Sequence, residues 1–112
     1  ERHCVLCNCG ISEVIQGAHI WPVSDIKRTS ALSLDEKLAY ATDGENGLWM
    51  CQNHHKMFDS SILFLSNNRE VSYKTDLSES DKAYIDSITT VTNLPEHLIT
   101  PRYMYYIDKR YA

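Results

Sequence analysis

Positive charge is scarce in this chain of 112 residues. Lysine and arginine number 11 against 15 aspartates and glutamates, for a formal net charge of -4. A domain that grips nucleic acid by charge alone is usually basic. Any nucleic-acid affinity here therefore has to be local, assisted by a metal, or supplied by another domain. Long apolar runs are missing as well: none approaches the ~20 residues of a membrane span, and no stretch has the pattern of a signal peptide. Repeats, low-complexity tracts and linker-like segments are absent. The length indicates one domain over residues 1–112. Hydrophobic residues make up 43% of it, an ordinary share for a globular protein. A chain of this size buries ~65% of its unfolded surface, so a covalent or metal cross-link would help it. The chain opens on Glu1 rather than methionine, and we expect it to be a piece of a larger multidomain protein.

Cysteines are few and unevenly placed. Cys4, Cys7 and Cys9 crowd into six residues, and only Cys51 is distant. Disulfide frameworks usually spread their cysteines along the chain, which argues against two disulfides in a secreted protein. A redox Cys-x-x-Cys would sit in a βαβ pattern, and none surrounds Cys4 and Cys7. Buried free thiols remain the plain alternative. Two tight pairs stand out instead: Cys4-Val5-Leu6-Cys7, and Cys51-Gln52-Asn53-His54. That spacing is how a short chain builds a closed tetrahedral zinc site, here Cys3His. Cys9 competes with Cys7 for the third thiolate. We favour Cys7, because a two-residue gap lets both sulfurs converge on one ion. A closed site offers no open position, so the zinc is assigned to structure. Structural zinc contributes on the order of 10 kcal/mol of apparent binding free energy at pH 7.

The local signals predict short elements. Residues 1–10 read as a zinc knuckle closed at Gly10, Val14 to Ile20 as a strand ended by Pro22, and residues 23–32 as loop. Ser33 and Glu36 form a capping box for a helix through about Tyr40. Residues 43–47 are turn material, and Leu48-Trp49-Met50 is a strand running into Cys51. Asn53 is the expected N-cap of a brief helix from His54 to Asp59. Ile62–Leu65 and Glu70–Tyr73 flank a hairpin turn, whose paired asparagines suit positive φ. Ser78 caps a helix to about Thr90 with Tyr84, Ile85, Ile88 and Val91 on one face. Thr100-Pro101 opens a last helix.

Immediately after the zinc-facing His54 come His55 and, four residues on, Asp59. On a helix these two share a face, while His54 points ~100° away. A mixed nitrogen and oxygen pair suits a divalent ion such as Mg²⁺ or Mn²⁺, with water and phosphate completing the shell. The plain alternative for Asp59 is a helix-end carboxylate. His19, taken alone, is more simply a structural histidine, and Asn46 beside Gly47 a turn residue. Lys27, Arg28, Lys56 and Arg69 are candidates for phosphate contacts, each also explicable as solvated surface. No group reads base edges, so no sequence specificity is expected.

Gly17-Ala18-His19-Ile20-Trp21-Pro22, with Asn46-Gly47-Leu48-Trp49-Met50-Cys51-Gln52-Asn53-His54-His55-Lys56-Met57-Phe58-Asp59, resembles the HNH endonuclease family. The resemblance is to the branch found in restriction and anti-phage nucleases. It covers residues 2–65 as the core, with an extension over about 62–112 whose Tyr103 to Tyr111 looks like a closing aromatic helix. It implies an α+β fold: a ββα-metal finger with a zinc knuckle, plus a β-hairpin and C-terminal helices. It implies a DNA endonuclease, with His19 as general base, Asn46 as the residue that pins the loop so that His19 points inward, and His55 and Asp59 on the catalytic metal. An imidazole is mostly neutral, and so basic, at pH 7. Many relatives carry Asp or His where this chain has Ala18, so the metal here would lean more on water and DNA. The resemblance further implies a cytoplasmic bacterial protein of restriction or defence, with a fused recognition or regulatory domain. A homodimer or higher oligomer would serve double-strand cutting. A zinc-finger binding module without catalysis is the alternative; it would need neither His19 nor Asn46.

Overall fold

The first strand buries a residue on each of its faces, Ile15 on one and Ala18 on the other. The computed structural model describes residues 2–112. In it β1 (Ile15–His19) pairs antiparallel with β2 (Gly47–Cys51), with Ile15 opposite Cys51 and His19 opposite Gly47. Alternation gives this ribbon two unlike faces. Gln16, Ala18, Leu48 and Met50 share one, and Ala18 and Met50 there are fully buried. Gly17, His19 and the exposed Trp49 share the other. Helix α3 (Gln52–Asp59) follows β2 without a loop and packs on both strands, completing a ββα finger. Phe58 is its buried anchor.

Between the strands lie α1 (Val23–Arg28) and α2 (Leu34–Thr42). The capping box of α2 is present in full: the Glu36 amide donates to Ser33 Oγ, and the Ser33 amide donates to Glu36 Oε1. Helix α1 corrects the expectation of loop over residues 23–32. It has no side-chain cap. Its amides use the Pro22 carbonyl, and the burial of Ile26 in the core holds it, a tertiary effect that local propensity does not report. A second correction concerns α3, whose N-cap is Cys51 rather than Asn53.

A second ribbon, β3 (Leu63–Leu65) with β4 (Val71–Tyr73), follows. The positive φ of its turn falls on Arg69, at 80°, and not on Asn67 or Asn68. Arg69 is held there by Leu94: the Leu94 amide donates to the Arg69 carbonyl at 2.8 Å, and Arg69 Nε donates to the Leu94 carbonyl at 2.6 Å. Helix α4 (Glu79–Ile88) is capped by Ser78 as expected, but it ends before Thr90 and buries only Ile85; Tyr84 is exposed.

Helix α5 (Pro101–Arg110) starts at the Thr100 cap with proline at its first position. Its Tyr103, Tyr106 and Ile107 are buried against the finger. Tyr103 Oη donates to the Ser66 carbonyl at 3.1 Å, and Tyr106 Oη donates to Asp43 Oδ2 at 2.5 Å. The Tyr106 hydroxyl, helped by the Glu45 amide and Arg102, holds the Asp43 carboxyl below the usual carboxylate range. A depressed pKa of this kind stabilises the fold above the unfolded-state value near ~3.9, and the stabilisation is lost as pH falls through the folded value. Tyr106→Phe should therefore cost about 1.5–3 kcal/mol at pH 7. The gap between thermal melts of the two proteins should narrow as pH falls below the unfolded-state value and through the folded one; a gap that persists unchanged would show that the hydrogen bond to Asp43 is not its source.

Candidate functional site

The N-terminal knuckle meets the junction of β2 and α3. Ligand atoms of Cys4, Cys7, Cys51 and His54 all lie within 4.8 Å of one another. Cys7 Sγ and Cys51 Sγ are 4.0 Å apart, and His54 Nδ1 stands 3.7 Å from Cys4 Sγ and 3.1 Å from Cys51 Sγ. Four such atoms around one zinc ion would be about 3.5–3.8 Å apart. The donor set and its spacing fit a metal ion such as zinc. Cys9 is outside the tetrad and serves it through its backbone: its carbonyl accepts from the Cys4 amide at 2.9 Å, and its amide donates to the Cys7 sulfur. Burial, with Cys4 and Cys51 alongside, pushes the Cys7 thiol up to about 12. Cation binding here must therefore displace protons. His54 is fully buried, and its Nε2 meets Thr89 Oγ1 at 2.9 Å. Thr89 orients the imidazole from the side away from the sulfurs. It lies 35 residues from His54 in sequence, and no local pattern marks it.

Asn46 is fully buried at the turn before β2. Its Oδ1 accepts from the Trp21 amide at 2.7 Å, and its Nδ2 donates to the carbonyls of Trp21 at 3.1 Å and Tyr40 at 3.2 Å. Its own carbonyl accepts from the Ile20 amide at 3.1 Å. One side chain thus ties together the segment leaving β1, the end of α2 and the entry to β2. His19, the last residue of β1, is half-buried beside this clasp. Its Nε2 lies 2.9 Å from the Ala41 carbonyl, which can only accept. Nε2 therefore carries the proton, and in the neutral ring the lone pair is on Nδ1.

His55 sits one residue past His54 and faces the other way. Its Nδ1 is 2.7 Å from Gln16 Oε1, and its Nε2 is 3.0 Å from Asp59 Oδ2. Both partners are acceptors, so a positive particle, a proton or a metal ion, belongs between Nε2 and Oδ2. Two cis ligands of an octahedral ion held at about 2.1 Å would be ~3.0 Å apart, so the pair fits a divalent cation. The side chains of His55 and Asp59 are 23% and 51% exposed, open enough to admit water and a phosphate. Ala18, on the same strand face as Gln16, contributes no ligand. Gln16 was legible in principle: it is a polar residue two places from the inward Ala18.

His19 lines a cavity of about 270 Å³ with Gly17, Ala18, Ala41, Asp43, Asn46 and Trp49; neither His55 nor Asp59 belongs to its wall. The cations expected at phosphate are unequally free. Arg69 is engaged by Leu94 and by Glu96 at 3.4 Å, and Arg28 pairs with Asp25. Lys27 and Lys56 are exposed.

Metal analysis of the purified chain should find about one zinc bound in the tetrad. Cys9→Ser should keep it, whereas Cys51→Ser should lose it together with much of the thermal stability; zinc retained by Cys51→Ser would remove the tetrad as the site.

Two comparisons bear on ancestry. No curated protein matches the chain. A family model described as HNH endonuclease matches residues 4–65, more than half the chain, and that span holds the tetrad, His19, Asn46, His55 and Asp59. On that match the chain belongs to the HNH endonuclease family, and its ββα finger lies within the matched span.

Proposed function

We propose that this chain is a metal-dependent DNA endonuclease module that hydrolyses phosphodiester bonds. The observation that carries the proposal is the His55 imidazole flanked by two acceptors, Gln16 at 2.7 Å and Asp59 at 3.0 Å, on an accessible helix face. In this reading Cys4, Cys7, Cys51 and His54 hold a structural zinc, and His55 with Asp59 holds Mg²⁺ or Mn²⁺. A divalent ion there supplies charge that stabilises the scissile phosphate and the leaving oxygen. Gln16 keeps the His55 proton on Nδ1 and leaves Nε2 for the ion. His19 Nδ1 accepts the proton of the attacking water, while the Ala41 carbonyl holds the ring by Nε2 and the Asn46 clasp fixes the chain on either side. The two groups start from opposite faces of β1, so the scissile phosphate sits over the strand's end, where His19 is the last residue. Lys27 and Lys56 are the cations left to touch flanking phosphates. Residues 1–112 form one functional unit, the cleavage module of a bacterial cytoplasmic restriction or defence protein. A fused domain delivers DNA to an acidic surface, and paired copies cut both strands.

A zinc-stabilised binding module is the rival, and the separate cavity of His19 is the observation in its favour. Plasmid incubated with the full protein and several divalent ions separates the two. Cleavage with Mg²⁺ or Mn²⁺ should fall about 10²–10⁴-fold in His19→Ala, with zinc content and fold intact. Binding without metal-dependent cleavage would favour the rival, and undiminished cleavage by the variant would remove His19 as the base.

A further inference from the structure

Arg110, at the end of α5, lies outside the matched span of residues 4–65 and yet reaches into the finger. Its side chain is 9% exposed. Nη1 donates to the Ile20 carbonyl at 2.9 Å and to the His19 carbonyl at 3.3 Å. Nη2 donates to the Phe58 carbonyl at 2.7 Å and stands 3.6 Å from Asp59 Oδ1. The guanidinium also lies over the Phe58 ring, 3.5 Å from its centroid. One planar fork therefore grips the end of β1 on one side and the last turn of α3 on the other. A cation is favourable at that helix C-terminus, where unsatisfied carbonyls gather. Burying a charge is costly, and anchoring α5 does not require it, since Tyr103, Tyr106 and Ile107 already dock the helix.

What Arg110 joins is informative. The strand end carries His19, and the helix end carries Asp59, with His55 one turn earlier. The His19 ring is bonded to Ala41 and the His55 ring to Gln16 and Asp59, so no hydrogen bond between these side chains sets their spacing. We propose that Arg110 is a positioning residue that sets His19 against the His55–Asp59 pair. This rests on the nuclease reading above. The fork acts through backbone carbonyls of His19, Ile20 and Phe58, and it orients Asp59 through Oδ1 while Oδ2 stays on His55. A lysine keeps the charge but has a single nitrogen on a flexible stem, and it cannot hold both sets of carbonyls in one plane.

Arg110→Lys in the full chain is the test, with Arg110→Gln as the second variant should lysine not fold. Zinc content and DNA affinity should match the wild type, while kcat at saturating Mn²⁺ falls tenfold or more and KM changes by less than about twofold. A kcat within twofold of wild type in a folded, zinc-loaded variant would overturn the proposal, as would failure of both variants to fold with zinc. A second readout does not depend on cleavage. In nitrogen-15 histidine spectra the His19 ring signals should move in the variant, while those of the exposed His3 stay in place. Unmoved His19 signals would overturn the proposal too. If the wild type cuts no DNA, the nuclease reading fails, but these spectra still decide whether Arg110 positions His19.

Discussion

Cys51 and His54 stand three residues apart across the junction of β2 and α3, and both turn toward Cys4 and Cys7. The rest of the finger depends on that convergence. It brings the N-terminal knuckle onto the ribbon, where the Val5 amide also donates to the Trp49 carbonyl at 2.9 Å. It fixes the rotation of α3 about its axis, because His54 must face the sulfurs. Once that angle is set, a helix of ~100° per residue carries His55 out of the cluster and toward Gln16 on β1. Asp59, one turn later, follows it onto the same face. Adjacent imidazoles in the sequence thus occupy unlike surroundings: one fully buried among thiols, the other accessible between two acceptors.

The ribbon divides the molecule in a second way. The face of β1 under α3 is lined by Gln16 and Ala18; the opposite face carries Gly17 and His19. Chemistry shared by His19 and His55 is therefore confined, in the proposed mechanism, to the strand's end. That explains why backbone ties there matter. Asn46 clasps the chain beyond His19 from the side of α2, and Arg110 grips the same segment from the side of α3. The first belongs to the family's own span, and the second comes from the extension.

Spacing made much of this legible. Two pairs with two-residue gaps named the tetrad, and an i, i+4 pair named His55 and Asp59, because ligand convergence is a local geometric demand. The Ser33 capping box and the Thr100-Pro101 helix start were readable for the same reason: each is complete within four residues. Helix α1 was not, since six residues without a side-chain cap are ordered by Ile26 in a core assembled from elsewhere. The positive φ at Arg69 is not readable from the paired asparagines, because the Leu94 contact that holds it is 25 residues away. Thr89 and Arg110 were invisible on the same ground, reaching partners 35 and 90 residues off. Nor does the sequence place His19 and His55 on opposite faces, since which face of the ribbon α3 covers is decided by packing.

The division between the two imidazoles can be measured by counting metal ions. Zinc content and Mn²⁺ binding, followed by elemental analysis and electron paramagnetic resonance, should be compared in His54→Ala and His55→Ala. We predict that His54→Ala loses zinc, whereas His55→Ala keeps about one zinc per chain and loses the separate Mn²⁺ site. Loss of zinc from His55→Ala, with zinc retained in His54→Ala, would contradict the assignment on which the account rests.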